Sequence, residues 1–431
     1  MVGPLNQFLR ILHLSKSSSG GATVYAESLS NGLEQLGFES ELLHDENLKD
    51  ESLTGQSIAH FFNRLQGRFY VEAQKKTFHP TNRFRELDLR SRLTGYDVIH
   101  IHEVANWMGL KNLFNDMPKS TAVIMSLHDL WPITGGCVVF NGCERYKASC
   151  DNCPALGTPF NRLLANRQLQ LKRQIYTREN LHFVANSRWT YNKMQQATSI
   201  GKNRSLSIIH PVVDHDNFNI GNSESARQLL NLPLDAFIVC AGAASVTDEN
   251  KNIAEAIQAV SQIASERQTV LLIFGDGNLP VPQNMDVRFL GPIANRQNLA
   301  NVYRASDVFL STSKMETYGM TLIEAMACGT PVVAYRTGAI PHVVPDRKTG
   351  ILVETGKVPA IADALRELRD DSILREELRN NGIQLVSKRN RIEKLLEQHV
   401  ALYRQACDLP TSAENPQAIT SNEESTVKSY R

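Results

Sequence analysis

Two glutamates, Glu316 and Glu324, stand eight residues apart in the stretch SKMETYGMTLIEAMACGTPVVA, Ser313 to Ala334. Gly319 falls between them at a turn, and Gly329-Thr330-Pro331 closes the helix that the apolar spacing predicts. The backbone N–H groups of Gly319, Met320 and Thr321 then head a helix without intrahelical partners, a ready site for a diphosphate. Glu324, within the first turns, can accept hydrogen bonds from two adjacent hydroxyls such as those of a ribose. Glu316, earlier in the loop, can reach the hydroxyls of a sugar. On the residues alone, an ordinary helix with two solvated glutamates accounts for the segment equally well.

Three further groups carry chemistry of the same kind. Gly20-Gly21 ends a loop that runs from a strand through SKSSSGGATVYAESLSNGL into a helix, where missing side chains allow close approach to phosphates or simply a tight turn. His128 follows the apolar run Ala122–Leu127 in SLHDLWPITGGC. A histidine at the carboxyl end of a parallel strand faces the crevice where open α/β sheets bind ligands; the alternative is a histidine satisfied within the core. Lys251, in CAGAASVTDENKNI, supplies a cation after another strand.

Four of the seven cysteines, Cys137, Cys143, Cys150 and Cys153, fall within residues 137–153 with the spacing C-x5-C-x6-C-x2-C. Three fates remain open for them: a structural zinc held by four thiolates, reduced thiols without metal, or disulfide and redox use. A four-coordinate metal there would shape the loop after His128 and take no part in the chemistry.

Positioning these groups requires alternating strands and helices. Apolar, β-branched stretches predict strands at Phe8–Leu14, Ser40–Leu43, Val98–His102, Ala122–Leu127 and His182–Asn186, with a helix at Ala22–Leu36. After the proline-bearing stretch IIHPVVDHDNF the rhythm restarts, with strands at Phe237–Ala241, Val270–Phe274, Val287–Leu290, Val308–Ser311 and Pro331–Ala334 and helices at Asn252–Glu266 and Thr321–Ala327. A charged helical pattern covers Ser387–Ala406. The expected domains are 1–212, carrying the cysteine loop; 213–386; a helix over 387–407 that packs back on the first domain; and a disordered tail over 408–431.

The length of 431 residues and 42% hydrophobic content suit two cores. Lys and Arg number 46 against 45 Asp and Glu, and this balance gives no field that would attract nucleic acid. No run approaches the roughly 20 apolar residues that cross a bilayer, and the start has no cleavable signal pattern, so a soluble, cytoplasmic chain is expected. One segment departs from the even charge: Arg64, Arg68, Lys75, Lys76, Arg83, Arg85, Arg90 and Arg92 suit either a solvated helix face or peripheral contact with an anionic membrane surface.

The Glu316–Glu324 segment resembles the Glu-x7-Glu motif of the retaining glycosyltransferases of sequence family 4, and the similarity runs in order through nearly the whole chain except the tail. The resemblance implies a GT-B fold, two doubly wound α/β domains across a cleft with 1–212 on the acceptor side and 213–386 binding the nucleotide sugar, and transfer of a hexosyl group from a UDP- or GDP-linked sugar to a saccharide or lipid-linked saccharide in polysaccharide biosynthesis. It also implies residue roles: Glu316 on the donor sugar, Glu324 on the ribose, Gly20 and Gly21 near the phosphates and acceptor, and His128 at the reaction centre. Lys251 matches the family's lysine, but its companion arginine is missing, since Ala243 and Ala244 follow Gly242. The stretches Phe274–Gly277 and Leu290–Ile293 resemble turns that border the nucleotide. No Asp-x-Asp is placed to hold a catalytic metal, so no cofactor is expected for transfer. Two rivals remain: a non-catalytic nucleotide-sugar-binding scaffold, and a nucleotide-sugar epimerase, which needs extra acids around the sugar.

Overall fold

The structure, a computed structural model, describes residues 9–16, 20–44, 78–79, 89–105, 107–140, 142–156, 159–201 and 204–408. Of the eight cations in the basic segment only Arg90 and Arg92 are among them; the other six, and residues 409–431 of the expected tail, lie outside the described residues.

In the first half, β1 (Arg10–Ser15), β2 (Glu39–Leu43), β3 (Val98–Glu103), β4 (Ala122–Leu127), β5 (Leu181–Ala185) and β6 (Ser205–Ile208) pair in parallel in the order β2-β1-β3-β4-β5-β6. Between them run α1 (Gly21–Gln35), α2 (Arg90–Leu93), α3 (Leu110–Asp116), α4 (Pro159–Ile175) and α5 (Arg188–Gln196). Every residue of β4 is buried, as befits a parallel strand covered on both faces. Helix α1 buries Tyr25, Ala26, Leu29 and Leu33, the stripe that helical spacing predicts.

The second half repeats the plan. Strands β7 (Phe237–Ser245), β8 (Thr269–Asp276), β9 (Asp286–Gly291), β10 (Val308–Ser311), β11 (Val332–Tyr335) and β12 (Gly350–Val353) form a parallel sheet ordered β12-β11-β10-β7-β8-β9. Its helices are α6 (Ser223–Leu229), α7 (Ile253–Ser261), α8 (Arg296–Ala305), α9 (Met320–Ala327), α10 (Ile340–Val343), α11 (Val358–Asp370) and α12 (Ser372–Arg389), and the last helix is α13 (Ile392–Ala406).

The helical pattern over Ser387–Ala406 is two helices. The break is at Asn390, whose buried side-chain amide donates to the Pro211 carbonyl and the Tyr318 hydroxyl, both at 2.6 Å, while its own carbonyl accepts from Val213 N–H at 2.9 Å. Those partners satisfy groups that a continuous helix would have taken up. Beyond the break, α13 lies on the first sheet, where Leu395, Leu396, Leu402 and Tyr403 join Ile11, Tyr25 and Leu29 in one core. Its approach to α1 needs a bare glycine: a Cβ on Gly32 would stand 2.8 Å from the Leu396 side chain.

In each sheet the chain reverses its direction of travel beside a central strand, at β1/β3 and at β7/β10. Loops at the carboxyl ends of such strands line the crevice of a doubly wound sheet. Gly20, Gly21 and His128 follow strands of the first sheet, and Lys251, Glu316 and Gly319 follow strands of the second.

Candidate active site

One cavity of about 370 Å³ opens between these two sets of loops. Its wall brings together Gly21, His128, Lys251, Glu316, Gly319, Met320 and Thr321. Gly20 stands just outside as the residue capping α1, and Glu324 and the four cysteines are not part of the wall.

Two helix N-termini converge here. Gly20 heads α1 at φ 107° and Gly319 heads α9 at φ 94°, left-handed backbone that suits glycine. A Cβ on Gly21 would lie 3.7 Å from Met320 Cγ, so the two first turns face one another. Neither carries an acidic residue in its first turn, which leaves the positive ends of both helix dipoles uncompensated. The arrangement can bind a doubly charged anion through backbone N–H groups.

Lys251 Nζ sits 2.5 Å from Glu316 Oε1. The sequence assigned the two residues separate tasks; the fold joins them, because Lys314 N–H donates to the Asn250 carbonyl at 2.7 Å and the Asn250 amide to the Met315 carbonyl at 2.9 Å, stitching the β7 and β10 loops together. Burial works against the charge on Lys251, but the Glu316 carboxylate beside it keeps the ammonium pKa above its ordinary value. Lys251 is the only lysine or arginine among the described residues that line the cavity, so among them no arginine takes the place of the missing companion.

Glu324 lies one turn along α9 from Met320 and Thr321, outside the lining of this cavity, and the Tyr303 hydroxyl donates to its Oε2 at 3.2 Å. Burial raises its carboxyl to about 7, against the pull of Tyr303 and of Arg296. Arg296 is itself paired with Asp214 at 2.8 Å.

His128 belongs to a group that the sequence analysis did not assemble. His13 on β1 and His100 on β3 are register partners, and His102 is two residues further along the same face of β3. His128 stacks on His102 at 5.4 Å, and His399 of α13 stacks on His100 at 5.4 Å. Burial holds all five imidazoles neutral: His13 is lowered to about 3, His128 and His399 to about 4, and His100 and His102 well below the ordinary value. Ring nitrogens of His13, His100 and His102 lie within 4.8 Å of one another, but both of those on His100 are already spent, on the Tyr403 hydroxyl at 2.6 Å and Ser126 Oγ at 2.8 Å. The signal was present in RILHLS and VIHIHE, where histidines occupy core positions of apolar strands.

Two cavity carboxyls also escaped notice. Asp129 is raised to about 7, chiefly by burial, although the Trp131 N–H donates to it at 2.7 Å. Glu103, at the end of β3, is raised by burial against the opposing charge of Lys16.

The four cysteines are reduced and border a separate cavity of about 20 Å³. Cys137 and Cys153 share a hydrogen bond that lowers the Cys153 thiol and raises that of Cys137, while burial pushes Cys150 up to about 11. Among the described residues no three of these sulfurs lie within 4.8 Å of one another. Tetrahedral zinc, with Zn–S near 2.3 Å, would bring them to about 3.8 Å, so the loop is not a closed metal cage as it stands. What visibly anchors the His128 loop is Lys172, which is fully buried, donates to the carbonyls of Trp131 and Thr134 and lies over the Trp131 ring.

Comparison with known proteins agrees with this geometry. The family described as Glycosyltransferase Family 4 matches residues 19–217, and that described as Glycosyl transferases group 1 matches residues 227–385, so between them they take in nearly all of both sheets. N-acetyl-alpha-D-glucosaminyl L-malate synthase of Bacillus anthracis is 32% identical over 162 residues, 36% of this chain and 42% of that protein. D-inositol 3-phosphate glycosyltransferase of Saccharomonospora viridis is 33% identical over 221 residues, 47% of this chain and 50% of that protein. The matched stretches thus span half or less of these relatives. In fold, sucrose-phosphate synthase from Thermosynechococcus elongatus superposes with a TM-score of 0.65 at 20% identity, covering 92% of this chain and 98% of that one. HepE of Anabaena, solved in complex with UDP-glucose, gives 0.63 at 17% identity, covering 92% and 100%. Two facing parallel sheets of this kind are the GT-B fold.

The buried histidines set a pH dependence. An imidazole whose folded pKa lies below its unfolded value gains its proton only on unfolding, so its contribution to stability is complete above about pH 6.5 and is lost as pH falls toward the folded pKa. Asp129, Glu324 and Glu103, raised in the folded state, act in the opposite sense. The lowered imidazoles, His182 among them, outnumber the raised carboxyls, so on balance unfolding takes up protons near pH 5.5 and stability falls as pH drops. Urea unfolding from pH 6.5 to 5 should show that decline; a flat or rising midpoint would contradict the neutral cluster.

Proposed function

This chain belongs to the glycosyltransferases of family 4, and from that premise we propose that it moves a hexosyl group from a UDP- or GDP-linked sugar to a saccharide or lipid-linked saccharide acceptor, with retention at the anomeric carbon. The observation that carries the reading is the pair of uncapped helix N-termini facing one cavity beside Lys251 and Glu316. A diphosphate placed between α1 and α9 meets both positive ends, and Lys251 offsets the charge that grows on it as the glycosidic bond breaks. Glu316, already paired with Lys251, takes the sugar hydroxyls, so donor binding and charge neutralisation act through one unit. Glu324 serves the ribose one turn along α9 from the diphosphate. The leaving phosphate accepts the proton of the acceptor hydroxyl on the same face, which needs no protein nucleophile. Closure of the halves keeps water out of the cleft.

The proposed setting is synthesis of a cell-surface or exported polysaccharide, in the cytoplasm or at the inner face of its membrane. Among the described residues no helix is long and apolar enough to cross a membrane. The reading includes a structural zinc on Cys137, Cys143, Cys150 and Cys153, supported by four reduced thiols around one small cavity; binding would draw the sulfurs inward.

Two measurements test these statements. Calorimetric titration with UDP- and GDP-linked sugars should find selective binding that weakens by roughly tenfold or more in Lys251→Gln and in Glu324→Ala, the scale of a lost charge-assisted hydrogen bond. Failure of well-folded protein to bind any donor would sink the transferase reading, whereas tight binding without turnover would favour a scaffold. For the cysteines, elemental analysis should give about one zinc per chain, and a value well below one removes the metal.

A further inference from the structure

Beneath His128 lies a second histidine, and beneath that a third. His128 Nε2 is 3.1 Å from His102 Nδ1, and His102 Nε2 is 3.0 Å from His13 Nδ1. Each contact holds one hydrogen, so neutral rings must all point the same way: either every Nδ1 is protonated, or every Nε2 is.

The inner end of the row decides between the two. His13 Nε2 is buried and has no hydrogen-bond partner among the described residues. With every Nε2 protonated, this atom would be a buried N–H with no acceptor, which folded proteins tolerate far less readily than a bare lone pair. With every Nδ1 protonated, the stranded atom is the lone pair. The neighbouring ring obeys the same logic independently: His399 Nδ1 is 2.9 Å from the Leu395 carbonyl, which can only accept, so His399 Nε2 takes the Tyr25 hydroxyl at 3.2 Å. That commits the Tyr25 proton away from His128, although the two rings meet edge-on at 4.8 Å.

We infer that His13 and His102 are positioning residues that fix His128 as the Nδ1–H tautomer, leaving that N–H as the one group His128 can offer to the cavity. This rests on the transferase reading for its chemical consequence. His128 then donates a hydrogen bond to an oxygen of the donor sugar and does not take the acceptor's proton, since its other nitrogen is already occupied by His102. Because it donates while neutral, it places no positive charge beside an anomeric carbon that is itself becoming positive.

The test is ¹⁵N NMR of histidine-labelled protein at pH 7.5, where protonated and bare ring nitrogens resonate far apart. His128 should appear as Nδ1–H in the wild type. His13→Asn, whose side-chain N–H can replace Nδ1–H, should keep that signature, and His13→Phe should lose it. With a donor and acceptor in hand, His13→Phe should lower kcat by roughly three- to tenfold with donor KM little changed, and His13→Asn should restore it. An Nε2–H or doubly protonated His128 in the wild type overturns the inference, as does an unchanged His128 signature in His13→Phe. Should His13→Phe not fold, the wild-type spectrum still decides. Absence of donor binding would count against the transferase reading and leave the tautomer result standing.

Discussion

The hydroxyl of Thr317 donates to the His128 carbonyl at 2.7 Å, and its own carbonyl accepts the Ser187 hydroxyl at 2.8 Å, so a loop of the second sheet is tied to two loops of the first. Thr317 lies between Glu316 and Gly319 in the chain. Holding it therefore sets the Lys251–Glu316 pair on one side and the first turn of α9 on the other, both relative to α1 and His128. Asn390 makes the second tie, joining the start of α13 to Pro211 and to Tyr318, the neighbour of Thr317. Parallel sheets make this economical: every strand delivers its loop to the same end, so two sheets need only be held end to end for their loops to share one cavity.

Charge is distributed across that cavity with a consistent logic. Positive groups, the ends of α1 and α9 and the Lys251 ammonium, stand where a diphosphate would lie. Around His128 the protein keeps its histidines uncharged, and burial is the means. Neutrality there costs stability in acid, because every one of those imidazoles binds a proton more readily in the unfolded chain. The C-terminal helix is part of the same device, since Tyr403 and His399 complete the hydrogen bonding of His100 on β3 and Tyr25 on α1.

The sequence pattern was enough to place most strands within a residue or two, because buried parallel strands read as unbroken apolar runs. Strands β6, SLSI, and β12, GILV, are edge strands that do not read as unbroken apolar runs: half of β6 is serine, and β12 has only three apolar residues after its glycine. The break at Asn390 was invisible because the residues that justify it, Pro211 and Tyr318, are distant in sequence. The same holds within the site. Gly319, Met320, Thr321 and Glu316 could be found from one local motif, but the pairing of Lys251 with Glu316 spans 65 residues, and the histidine row needs the register of β1 with β3. Glu324 lies on the expected helix, but its contact with Tyr303, 21 residues away, is one that the local motif could not show. For the cysteines, spacing suggested convergence, and the four do border one small cavity, yet spacing could not say how far apart the sulfurs would stand.

The central claim is that both halves contribute a helix N-terminus to one diphosphate site. Hydrogen–deuterium exchange with and without UDP reads the two ends at once. The account predicts slowed exchange in peptides covering residues 20–25 and 318–323 together. Protection confined to the second of these, or to neither, would contradict it.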